Sequence, residues 1–280
     1  MNVLITGSRG FVGGRVAQRL VAAGHHVTAL ARDANAADFA RGKGMAPLLG
    51  TLANVQALAA AAKQADAVVH AAASMDPAFG PMNAKAVAAI LDALRDDAIF
   101  VMQGGTLVFG DTGPSAAPQP VFAPIPPLRD RAELDRSVLD HPRGAIAYAS
   151  YVFGGEGALL PGLLAAASAK GPVPYVDDVY WSAVHIDDWV ELIQLIVTAK
   201  HTGARFAAAF DVSIREAAEH IARKNGTTSE AVDPLALAEK LGPFGASLAL
   251  QQRFNATAAK STGWAPGVLS LEPEDNSVGA

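Results

Sequence analysis

The 280-residue sequence predicts an α/β protein, a doubly wound parallel sheet with crossover helices and a smaller C-terminal α/β lobe. Short, continuously apolar runs alternate with helix-period segments through the first half of the chain, as strands covered on both faces do. The first run, Asn2-Val3-Leu4-Ile5-Thr6, leads into a turn with glycines at 7, 10 and 13, then a helix with Val12, Val16 and Leu20 on one face. With 51% hydrophobic residues, the chain can bury a full core.

The elements follow in order. Gly24 stops the first helix, as a glycine just past a helix end commonly does. His26 to Ala31 and Met45 to Leu49 read as strands, and Asn54 to Lys63 as a helix. Asp66 to Ala71 is the next strand, Asn83 to Leu94 the next helix, and Ala98 to Met102 another strand. Prolines at 114, 118, 120, 124, 126 and 127 exclude a regular element between 110 and 128, and a loop of this length is expected to be a lid or mobile. A helix from Arg129 to Leu139 and a strand from Ala145 to Val152 resume the alternation. Residues 1–155 therefore read as one domain. Residues 156–270 read mainly as the lobe, interleaved with the sheet, and 271–280 as a frayed polar tail.

The glycine spacing has a chemical reason. A side chain at Gly7 would obstruct the turn, one at Gly10 would hold the backbone away from a diphosphate, and one at Gly13 would push helix from strand. Phosphates then sit over unpaired N–H groups at the positive end of the helix. Placed between a strand and a helix, the triplet marks a Rossmann-type dinucleotide site. No Lys-Ser or Lys-Thr follows the last glycine, which excludes a kinase-type phosphate loop.

Composition narrows the partners. A net charge of −5 without any Lys/Arg block argues against nucleic acid. The absence of cysteine rules out disulfides and thiolate chemistry. No apolar run approaches the roughly 20 residues needed to span a bilayer, so no membrane partner is expected. The first strand begins at residue 2 and leaves no room for a signal peptide, so a soluble cytoplasmic protein is expected.

The run Thr6-Gly7-Ser8-Arg9-Gly10-Phe11-Val12-Gly13 resembles the Thr-Gly-x-x-Gly-Phe-x-Gly fingerprint of extended short-chain dehydrogenases/reductases, the NAD(P)-dependent epimerase/dehydratase group. Asp66 to Ala72 resembles that family's fourth strand, and Val108-Phe109-Gly110 and Val152-Phe153-Gly154 its two Val-Tyr-Gly turns. Trp181 to Asp188 resembles its Val-His-Val-Asp-Asp segment, and Gly263-Trp264-Ala265-Pro266 its terminal Gly-Trp-x-Pro. The resemblance implies a nicotinamide cofactor, a small-molecule substrate, and dimerisation through helices near 83–97 and 128–140.

An acidic residue about 20 positions beyond the glycines binds the ribose 2′-hydroxyl of NAD, whereas an arginine there accommodates the 2′-phosphate of NADP. The second strand ends Ala31-Arg32-Asp33, and Arg9 lies in the loop itself. Two guanidiniums near one ribose suit a phosphate dianion, so NADP is favoured over NAD. Asp33 is the alternative ribose ligand, with Arg32 then an ordinary surface charge. The family's Asp-Leu or Asp-Ile after the third strand is replaced by Thr51-Leu52, while Ala71, Ala72 and Ala73 are small enough for a cofactor to lie close. The expected cofactor residues are thus Gly7, Ser8, Arg9, Gly10, Phe11, Val12, Arg32, Leu52, Ala71, Ala72 and Ala73.

The family's catalytic pattern is a Ser/Thr, a Tyr, and a Lys four residues on, and it is largely missing. None of Tyr148, Tyr151, Tyr175 and Tyr180 has Lys four residues later. By register the Tyr and Lys positions fall near Arg131 and Asp135, and the Ser segment reads Gln103-Gly104-Gly105-Thr106. Arg131 cannot lose a proton at neutral pH. It either holds an anion or pairs with Asp135 on the surface, the ordinary outcome at this spacing. The candidates left are Thr106, Arg131 and Tyr148. Tyr148 and Tyr151 could face the ligand from the end of the sixth strand, with Tyr151 better read as half-buried packing. His70 reads as hydrogen-bonded core. His185, Asp187 and Asp188 lack a further ligand for a metal, and Asp188-Trp189-Val190-Glu191 reads as a helix cap. Two readings remain: an NADP-dependent oxidoreductase or epimerase/dehydratase-like enzyme acting on a small carbonyl or sugar-type substrate, or a non-catalytic NADP-binding sensor.

Overall fold

The computed structural model describes residues 1–74, 76, 78–116 and 120–271. Pro118 and residues 272–280 of the expected tail lie outside them. Strand and helix alternate from the start: β1 (Asn2–Thr6), α1 (Phe11–Ala22), β2 (His26–Ala31), α2 (Ala34–Gly42), β3 (Ala46–Leu49), α3 (Val55–Gln64), β4 (Ala67–His70), α4 (Phe79–Ala93) and β5 (Ile99–Gly105). Next come α5 (Arg129–Asp140), β6 (Gly144–Ala149), β7 (Tyr151–Phe153), α6 (Leu159–Ser168), β8 (Val173–Tyr175) and β9 (Tyr180–His185). The chain continues through α7 (Ile186–Ala199), β10 (Gly203–Phe206), β11 (Phe210–Ser213), α8 (Ile214–Lys224), β12 (Ser229–Ala231), α9 (Pro234–Gly245) and α10 (Thr257–Lys260).

Seven strands pair in parallel in the order β10-β6-β5-β4-β1-β2-β3. The continuous apolar runs have a direct cause in this sheet. Val3, Ile5, Val69 and Val101 pack on one face with Val16 and Leu20 of α1 and Ile193 and Ile196 of α7. Their neighbours Leu4, Val68, Phe100 and Met102 pack on the other with Leu58 of α3, Ile90 of α4 and Val138 of α5. The chain runs outward from β1 to β2 and β3, then returns to β4 on the far side of β1. That reversal opens a crevice at the C-terminal ends of β1 and β4, where open α/β sheets bind ligands.

Four elements differ from the sequence expectation. Helix α2 was not anticipated; Asp33 initiates it by accepting the Ala36 amide at 2.7 Å. Helix α4 starts at Phe79 rather than Asn83, and β5 continues through Gly104 and Gly105. The single strand expected over 145–152 is two. β6 pairs with β5 and β10 in the main sheet, whereas β7 pairs with β9 in a separate three-stranded sheet, and Ser150 is the break. Both pieces are apolar, so periodicity runs through a break that only the pairing partners create.

The described part of the 110–128 loop is tied down rather than free. Ala123 donates to the Val108 carbonyl and Thr112 to the Gln251 carbonyl, both at 3.0 Å, and Phe122 stacks on Phe109 at 4.9 Å. A third core, with Leu164, Trp181, Ile214 and Leu237, fills the lobe. Buried Asp188 ties down residues 264–268, its carboxylate accepting the Gly267 and Val268 amides at 3.0 Å and its carbonyl the Trp264 indole at 2.7 Å. The cap expected at Asp188 lies instead at His185, whose ring accepts the Asp187 amide. No described helix is long and apolar enough to cross a membrane.

Candidate functional site

The glycine turn fits a diphosphate by leaving no space for side chains. Gly7 has φ +76°, and a Cβ there would lie 2.6 Å from the Ala71 carbonyl and the Ala72 amide. A Cβ on Gly13 would overlap the Gly7 carbonyl oxygen, so helix and strand touch at this point. Gly10 caps α1 without a side-chain acceptor, and the first turn carries no acid. Its amides are therefore left for an anion.

This turn forms one wall of a cleft of about 1720 Å³ that runs along the crevice. All the residues expected to hold a cofactor line it: Gly7 through Val12, Arg32, Leu52, and Ala71 through Ala73. Asp33 does not. One of its oxygens accepts the Ala36 amide, which holds its carboxyl below the usual carboxylate range, and the other meets Arg32 Nε at 3.3 Å. Arg9 lies in the loop with its guanidinium over the Phe39 ring at 5.5 Å.

The opposite end is built by β5 and β6. Thr106 donates its hydroxyl to Ser150 Oγ at 2.9 Å, and both residues line the cleft. The sequence reading missed Ser150. Its signal was a lone hydroxyl residue between two apolar strand pieces at a strand's C-terminal end. Gly105, beside Thr106 in the segment that stands for the family's hydroxyl, is exposed and a Cβ there would meet nothing within 4 Å. Gly104 is obligatory, because Tyr148 occupies the space a side chain would need.

Arg131 lines the cleft and pairs with Asp135, but not as a surface pair. Its Nε donates to Asp135 Oδ1 at 2.6 Å, its guanidinium also donates to the Gln103 carbonyl, and Asp135 is fully buried. The Tyr148 hydroxyl donates to Asp135 Oδ2 at 2.8 Å. Tyr148 is therefore a structural residue, contrary to the expectation that it faces ligand. It is fully buried, does not line the cleft, and packs against Phe109 and Phe206. Burial and the Asp135 charge push its hydroxyl far above the ordinary tyrosine value, so it cannot act as an acid near neutral pH. Burial raises Asp135 as well, against the opposing pull of Arg131 and Tyr148. Tyr151 is fully buried packing in the lobe rather than half-buried.

His70 is core. Nε2 donates to Asn83 Oδ1 at 2.7 Å, leaving Nδ1 to accept the Thr6 hydroxyl at 2.9 Å. Burial lowers its pKa to about 4. A folded value below the unfolded value means the stability it confers is complete above about pH 6.5 and lost as pH falls toward 4. Its magnitude is about 3 kcal/mol. Urea melts at pH 7 and pH 4.5 check this, and the difference should shrink in His70→Gln. Among the described residues no cluster of three or more His, Asp or Glu could hold a metal.

The NAD(P)H-binding family pattern matches residues 7–136. An uncharacterized protein of Schizosaccharomyces pombe is 28% identical over 240 residues, covering 80% of each chain. An uncharacterized protein of Saccharomyces cerevisiae is 29% identical over 227 residues, covering 72% of each. Among solved structures, a dTDP-glucose 4,6-dehydratase from Streptomyces venezuelae, crystallised with NAD, superposes with TM-score 0.74 at 18% identity, covering 96% of this chain and 93% of the other. A nucleoside-diphosphate-sugar epimerase from Pseudomonas aeruginosa superposes with TM-score 0.75 at 15% identity, covering 97% and 93%. The NAD(P)H-binding pattern thus covers residues 7–136, and the chain as a whole has the Rossmann-type fold of these epimerase and dehydratase structures.

Proposed function

We propose that this protein is an NADP-dependent oxidoreductase, or an epimerase/dehydratase-like enzyme, that works on a small carbonyl or sugar-type substrate without the usual Tyr/Lys pair. One observation carries the reading. A single cleft joins the diphosphate cradle and Arg32 to an open end bearing two hydroxyls. Among the described residues of the 110–128 loop, only Pro127 and Leu128 reach the cleft wall.

The amides that open α1, Phe11 and Val12 among them, would hold the diphosphate, and Arg32 with Arg9 the 2′-phosphate. Leu52 and the small side chains of Ala71 to Ala73 would let the cofactor lie against the sheet. A bound, reduced nicotinamide supplies a hydride to a carbonyl carbon. The chain's own task is then to place that carbonyl and provide a proton to its oxygen. Thr106 and Ser150 are the hydroxyls for this, resupplied from water. Arg131, held by Asp135 and the Gln103 carbonyl, would fix the end of β5 beside them.

Arg32→Ala should weaken NADPH binding about tenfold or more and leave NADH binding unchanged, because one charge-assisted phosphate contact contributes about 1.5–3 kcal/mol. Fluorescence titration reads this, and equal NADPH affinity in the variant removes the phosphate argument. Thr106→Val and Ser150→Ala should each lower kcat about 100-fold with NADPH binding intact. The second reading, a non-catalytic sensor, is supported by the Arg131–Asp135–Tyr148 network standing where the Tyr and Lys would be. Its signature is tight NADPH binding with no NADPH oxidation across aldehydes, quinones and nucleotide sugars.

A further inference from the structure

Resting on the oxidoreductase reading, we infer that the substrate is an uncharged carbonyl compound with an apolar body, and that nucleotide-linked sugars are excluded. The cations decide this. Among the described residues that line the cleft only three are cationic: Arg9, Arg32 and Arg131. Arg9 and Arg32 stand at the ribose end of the cofactor site. Arg131 is committed to Asp135 and the Gln103 carbonyl. No cationic side chain remains on the described substrate half to meet a second diphosphate.

No Lys or Arg among the described residues of the lobe lines the cleft, and three of them are paired elsewhere. Arg215 pairs with Asp177 at 3.0 Å, Arg253 with Asp211 at 2.7 Å, and Lys240 with Glu230. None of the three lines the cleft. The charged side chains that remain in the lining are acidic, exposed Asp130 and Glu133 of α5 and exposed Asp76. A sugar nucleotide would bring two more negative charges into a cleft already lined by these carboxylates.

The inner wall is apolar. Leu134 and Leu160 are almost fully buried and Trp181 completely so, with half-buried Phe244 beside them. Such a wall gains by covering an alkyl or aromatic body, and the polar lining residues Asn83, Gln103 and Ser137 are engaged with His70, the Ala71 carbonyl and the Leu134 carbonyl. Thr106 and Ser150 are the uncharged polar groups suited to a single carbonyl oxygen. Reduction then balances simply: hydride from reduced nicotinamide to the carbonyl carbon, proton from hydroxyl and water to the oxygen, giving an alcohol and oxidised dinucleotide.

Saturation-transfer NMR on the full chain, saturated with NADPH and given an equimolar mixture of 1-naphthaldehyde and UDP-glucose, tests the inference. The naphthaldehyde signals should appear and those of UDP-glucose stay silent. A UDP-glucose signal, or a silent naphthaldehyde, overturns the inference. Fluorescence titration of NADPH is measured separately, and its failure overturns the oxidoreductase reading itself. A Leu160→Asp variant that keeps NADPH binding should lose the naphthaldehyde signal, and a signal of undiminished strength places the aldehyde outside this wall and counts against the inference.

Discussion

Gly7→Ala is expected to destabilise the protein by about 3 kcal/mol and to reduce dinucleotide affinity at least 100-fold. Two costs coincide at this residue. A φ of +76° costs an alanine about 1–2 kcal/mol. The added methyl also lies 2.6 Å from the Ala71 carbonyl and the Ala72 amide, so the end of β4 must move, an overpacking cost of about 1–3 kcal/mol. The affinity loss is larger than the stability loss implies, because the displaced backbone of Ala71 and Ala72 is itself a wall of the cleft. Gly105→Ala is the control. Gly105 has φ −104°, and a Cβ there meets nothing within 4 Å. That variant should change stability by less than about 0.5 kcal/mol and bind NADPH normally. Urea melts and fluorescence titrations of both variants check the pair of outcomes. Normal binding by a folded Gly7→Ala protein would falsify the cradle.

Arg131→Ala should cost about 3–5 kcal/mol at pH 7, because it leaves the fully buried Asp135 carboxylate without its cation. The pH dependence identifies the cause. Burial already holds the folded pKa of Asp135 above its unfolded value, so the folded protein binds this proton more tightly. Its stabilising effect is complete below the ordinary carboxylate pKa and is lost as pH rises through the folded value. Removing Arg131 takes away an opposing, lowering influence, and the window extends to higher pH. The variant should therefore regain stability between pH 7 and pH 5, measured as a rising urea midpoint. Adding Asp135→Asn should flatten that dependence and restore part of the loss. A pH-independent deficit in Arg131→Ala would mean that lost packing, not charge, is responsible.

Most strands and crossover helices of the first half, and the glycine turn, were legible in the sequence because each is a local property. Two-sided burial writes itself into a strand as an unbroken apolar run, and a tight turn under a diphosphate excludes Cβ atoms at fixed spacing. Arg32 against Asp33 was legible only as a choice. Tertiary context weighs on it, since Asp33 initiates α2, a short helix with little apolar signal of its own.

The reactive end of the cleft was legible least. Thr106 meets Ser150 across 44 residues of sequence, and Asp135, at an ordinary surface spacing from Arg131, is buried against Tyr148 of β6. Spacing along one helix names two residues that touch but not what covers them. The same limit hid the break at Ser150, where one apolar run divides between two sheets. The sequence by itself determined most elements of the first half, their parallel pairing and the glycine turn, which follow from chain geometry over a few residues. Only the tertiary structure decided which hydroxyls meet, which charges are buried and which side chains face ligand, because those depend on surfaces brought together from distant segments.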